Sequence, residues 1–148
     1  MQPPPPPTAL PDRAVVIHGH AHALAALRAG RQGPGRPSCR LVLLSAPGAA
    51  GFLGPAWWAA LMESLRPEMA AAVDLLDCGS SAGRAMEALR IGLRRLLLSP
   101  DCAQHAAVLA RAAPLGAEVG PVRPEALDMA ERNAARRLPE WLHGTPAR

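Results

Sequence analysis

A chain of 148 residues with a formal net charge of +4 is the size of one domain, long enough to bury roughly two thirds of the surface its unfolded form exposes. All 16 basic residues are arginine, and the absence of lysine excludes Schiff-base chemistry and the phosphate-reaching lysine of a P-loop. No apolar run approaches the 18 or so residues of a membrane span.

Aromatic residues are confined to Phe52, Trp57, Trp58 and Trp141, so the core has to be built from Leu, Val, Ile and much Ala. Abundant Ala, Gly and Pro beside an all-arginine basic set matches the codon usage of a GC-rich bacterial genome. Arg84, Arg90, Arg94 and Arg95 are the nearest approach to a basic patch, but no aromatic interleaves them and Glu87 sits among them. A solvated helix face therefore outweighs a nucleic-acid surface. Cys39, Cys78 and Cys102 are odd in number and lack a C-x-x-C pair, which points to reduced thiols and a cytoplasmic location.

Residues 1–12, with a five-proline tract, read as a disordered leader, and 13–148 as one domain. The first strand is expected over Ala14–Ile17, ending at His18-Gly19. A helix follows from His20 to about Arg31 and is broken by the Gly- and Pro-rich stretch 32–38. Arg40–Leu44 has the continuous apolar character of a parallel strand and ends in the glycine-rich loop 45–51. Gly54-Pro55 opens a helix with a buried stripe of Trp58, Leu61, Met62, Leu65 and Met69.

The third strand is Val73–Asp77; the loop 78–83 then leads into a helix closed by Gly92. Arg95–Leu98 is the fourth strand, followed by a helix carrying His105, Val108, Leu109 and Ala112 inward, with His105 expected to be a core-facing ring with one satisfied nitrogen. Ala117–Val122 is a weaker fifth strand, and a last helix is expected over 125–138, with a tail over 139–148 in which Trp141-Leu142 anchors the terminus. Alternating strands and helices define the α/β class: a single small, doubly wound, three-layer domain with a mostly parallel four- to five-stranded sheet, flavodoxin-like or Rossmann-like.

In such sheets ligands bind beyond the carboxyl ends of the strands, where strand order reverses. Orders 2-1-3-4-5 and 3-2-1-4-5 would put Gly19 and His20 opposite either the 78–83 loop or the loop after the fourth strand. Candidate ligand-binding residues are Gly19, His20, Ser45, Gly48, Gly79, Ser80, Ser81 and Trp57. The glycines allow close backbone approach, the serines supply hydroxyls at a helix N-terminus, and Trp57 stands on the wetter side of its helix. One of the two serines is equally suited to capping the helix. Candidate catalytic residues are His20, as a general base, and Cys78, as a nucleophile activated by the helix N-terminus. His18, His20 and His22 do not converge as metal ligands, because the first ends a strand and the others splay around a helix; no metal or cofactor motif is legible.

The residues thus favour a small cytoplasmic domain binding a small anionic ligand. A non-enzymatic interaction module or homodimer built around Trp141 ranks second, and an enzyme using Cys78 or His20 third.

Overall fold

A computed structural model describes residues 10–31 and 39–144; the proline-rich leader up to residue 9, the 32–38 breaker and residues 145–148 lie outside them. Six parallel strands form one sheet: β1 (Asp12–Val16), β2 (Arg40–Leu44), β3 (Ala72–Asp77), β4 (Arg95–Leu97), β5 (Glu118–Gly120) and β6 (Ala126–Asp128), in the order β5-β4-β3-β2-β1-β6. Helices α1 (His20–Arg31), α2 (Ala49–Phe52), α3 (Pro55–Leu65), α4 (Ala82–Arg90), α5 (His105–Ala112) and α6 (Ala134–His143) flank it. The α/β class and the parallel, Rossmann-like sheet flanked by helices are the expected ones, with strands extending to both sides of β1.

Each crossover from β1 through β5 steps to the next strand on the same side, and right-handed crossovers of that kind put their helices on one face. The burial pattern agrees. Ala23, Ala26 and Leu27 of α1, Trp58 and Leu65 of α3, Ala85 and Leu89 of α4, Val108 of α5 and Leu138 of α6 share one core with Val15, Ile17, Leu41, Leu43, Leu76, Leu96 and Leu127. The alternate strand residues Ala14, Val16, Val42, Leu44 and Leu97 form a second cluster, edged by Val73, Leu75 and Ala126, to which no helical residue of the described chain contributes.

Trp58 anchors the larger core. It is fully buried, and its indole N–H donates to Asp74 Oδ2 at 3.0 Å, which accounts for an acidic residue within the apolar run of β3.

Three expectations at the chain ends change. β1 begins at Asp12, inside the stretch assigned to the leader, because the Pro11 carbonyl accepts the Arg40 amide at 2.9 Å and extends the ladder. A sixth strand, β6, occupies 126–128, where a helix was expected: β1 has a free ladder edge, and Leu127 fills the core against it. The last helix consequently starts at Ala134. It continues through Pro139 to His143 because the turn beyond the proline buries Leu142, and Trp141 donates to the Ala14 carbonyl at 2.9 Å while stacking on Arg13. Trp141 is therefore the expected terminal anchor, with its donor already engaged inside the chain.

His105 departs from expectation as well. It opens α5, and its buried Nε2 has no hydrogen-bond partner. An unpaired buried polar atom costs about 1–3 kcal/mol, so His105→Leu is expected to be neutral or stabilising by up to about 1 kcal/mol, read as an unchanged or higher urea midpoint. A clear loss would show that the ring nitrogen is satisfied.

Candidate functional site

The carboxyl ends of the strands are where the loops gather. The strand order flanks β1 with β2 and β6, so neither anticipated crevice, between the first and third strands or between the first and fourth, is formed. The order reverses instead between β1 and β6. The loop after β1 therefore borders the 45–51 loop on one side and the end of β6 on the other.

Loops 45–51 and 78–83 follow adjacent strands and come together. Gly48 and Gly79 both have left-handed backbones, with φ of 65° and 56°, and a Cβ on Gly79 would lie 3.6 Å from Gly48 Cα. That backbone conformation is open to glycine at little cost, and it lets two main chains meet without side chains between them. Ser81 caps α4 by accepting the Arg84 amide at 3.3 Å, which leaves the exposed Ser80 as the uncommitted hydroxyl of the pair. Ser45 is fully buried. Its Oγ accepts the Asp77 amide at 2.9 Å and donates to the Ala46 carbonyl at 3.1 Å, so it braces β2 against β3 instead of facing solvent.

Gly19 is half-buried, and His20 is exposed at the first position of α1. Trp57 is half-buried against the core, its ring centroid 6.1 Å from that of Trp58. Cys78 does not suit a nucleophile. Its thiol is buried and donates weakly to the Leu76 carbonyl at 3.9 Å, and burial, with the neighbouring Asp77 charge adding to it, pushes the pKa up to about 12. Desolvation overrides the helix N-terminus expected to lower it.

The most connected polar group at this edge was not anticipated. The segment Pro121–Glu125 connects β5 to β6 across the ends of the four strands that lie between them. At its midpoint Arg123 donates to Asp77 Oδ2 at 2.7 Å and to the Ser45 carbonyl at 2.8 Å. Asp77, itself buried, uses its other oxygen to accept the Gly79 amide at 2.8 Å. One guanidinium thus ties the ends of β2 and β3, and both candidate loops, to the crossing segment.

Next to it, His18 Nε2 lies 2.7 Å from Asp128 Oδ1 across the β1–β6 boundary, and the His18 amide donates to His22 Nδ1 at 3.2 Å. Burial acts to raise the Asp128 pKa, but the Ala130 amide and His18 outweigh it, with the Arg123 charge assisting, and the carboxyl is held below its ordinary value. The Arg40 hydrogen bond does the same for Asp12 at the opposite end of the sheet. Both shifts are downward, so the stability they supply is complete above the unfolded carboxylate pKa near 4 and is lost as pH falls through the folded values. Urea midpoints are expected to drop below about pH 4, and the Asp12→Asn/Asp128→Asn double variant should flatten that drop. An equally steep drop in the double variant would assign it to other groups.

Among the described residues no group of three or more His, Cys, Asp or Glu could hold a metal ion, and no helix is long and apolar enough to cross a membrane. No protein-family model, curated protein or solved structure matches this chain.

Proposed function

We propose that this chain binds a small anionic ligand at the carboxyl ends of its strands, on the edge formed by Gly19, His20, loop 45–51 and loop 78–83. The observation that carries the reading is the close approach of Gly48 and Gly79, both left-handed, a Cβ on Gly79 lying 3.6 Å from Gly48 Cα, which brings loop 45–51 against the loop that leads into α4. Ser80 offers an exposed hydroxyl there, and Arg123 brings a guanidinium to the same edge.

The test is thermal unfolding against inorganic phosphate, nucleotides and small carboxylates. A ligand at about 100 times its Kd should add roughly 2.7 kcal/mol, a rise of several degrees for a domain of this size. Gly79→Asp, which places a carboxylate beside Gly48, is expected to abolish the rise. Gly79→Asn imposes the same left-handed side chain without the charge and should retain part of it. No response to any anion, or an undiminished response in Gly79→Asp, would overturn the reading.

A further inference from the structure

Of the three histidines around the β1–α1 turn, His18 alone is oriented by a carboxylate. Asp128 faces its Nε2 at 2.7 Å, and His22 accepts its backbone N–H at 3.2 Å with the two rings edge to face, centroids 5.6 Å apart. Asp128 is itself fixed by the Ala130 amide at 2.8 Å. His20, by contrast, is exposed and has no such partner among the described residues. A carboxylate at Nε2 selects the tautomer that carries its proton there, which leaves the lone pair on Nδ1. The two side chains are 34% and 35% exposed, so the pair is reachable from solvent at the carboxyl ends of the strands. Arg123 links it to the candidate loops, since its guanidinium bonds the Ser45 carbonyl and its charge reaches Asp128.

We infer that His18, oriented by Asp128, is the proton-accepting group of this edge, and that the ligand carries a hydroxyl beside its anionic group. The inference rests on the anion-binding reading above and adds the second functional group of the ligand. The loops receive the anion; the hydroxyl donates to His18 Nδ1, either as a hydrogen bond or by giving up its proton to form the imidazolium, while Asp128 stays ionised.

The probes are glycerol 3-phosphate and propyl phosphate, which share a phosphate monoester and differ in their hydroxyls, titrated calorimetrically into the full chain. The wild type should bind the hydroxylated probe about tenfold more tightly, the value of one hydrogen bond, and His18→Ala should bind both with the weaker affinity. Asp128→Asn keeps an oxygen for the Ala130 amide, so it should fold and show an intermediate preference. Imidazole ¹⁵N spectra should find His18 protonated at Nε2 in the wild type and in mixed tautomers in Asp128→Asn. A pair that only ties β6 to β1 would lower the melting temperature of His18→Ala without changing the preference. Equal affinities in the wild type, or a tenfold preference that survives in His18→Ala, would overturn the inference while the anion site stands. Silence toward both phosphates would overturn both.

Discussion

Arg123→Met is expected to destabilise the protein by about 3 kcal/mol, because removing the cation of a partly buried pair leaves an uncompensated charge. The charge is that of Asp77, 8% exposed, whose Oδ2 takes Arg123 at 2.7 Å. The Gly79 amide would remain its one strong donor. For a chain of this length the loss corresponds to roughly 6–12 °C in melting temperature. Asp77→Asn/Arg123→Met removes both charges and should recover much of the loss, since an amide can keep the Gly79 contact at far lower desolvation cost. Denaturant midpoints of the two variants decide the matter: a loss under about 1 kcal/mol for Arg123→Met would mean that Asp77 is hydrated and the β5–β6 crossing is held by other contacts.

Trp58→Ala should be costlier still, at about 3–5 kcal/mol, since it empties a large fully buried site between α3 and the sheet. Against a total stability of about 5–15 kcal/mol that change alone threatens folding, so Trp58→Phe is the informative companion. Phenylalanine fills most of the volume but takes away the donor to Asp74 Oδ2, 3.0 Å from the indole nitrogen. It should cost about 1–3 kcal/mol. In Trp58→Phe/Asp74→Leu the unpaired carboxylate is gone as well, and stability should return toward the wild type. If Trp58→Phe proves neutral, the indole hydrogen bond contributes nothing and burial of the ring accounts for the whole effect of Trp58→Ala.

Most of the secondary structure was legible in the residues. Runs such as Leu41–Leu44 and Leu96–Leu97 have too few polar positions to be anything but buried strands, and Gly54-Pro55 and Ser81 mark helix starts by local chemistry that acts within a turn. β6 was hidden because three residues are too few to display a two-residue period, and Ala126, Leu127 and Met129 are also good helix formers. Pro139 misled for a related reason: local propensity stops a helix there, while burial of Leu142 carries it on.

The site was legible only in part. Glycines at turns show themselves, and Gly48 and Gly79 take the left-handed turns that bring their two loops together. Ser45 has the same composition signal as a binding residue, yet its hydroxyl is spent on Asp77. Arg123 lies in a proline-flanked stretch with no periodicity, and Asp128 in a segment that reads as helix, so neither had a local signature.

The sequence by itself determined the α/β class, the positions of the first five strands and most helices, and the small-residue core, because periodicity, caps and breakers act over a few residues. The tertiary structure alone decided the strand order, the single helical face of the described chain, and the pairs Asp77–Arg123 and His18–Asp128. Those partners are 46 and 110 residues apart, and only the closing of the sheet brings them within hydrogen-bond distance.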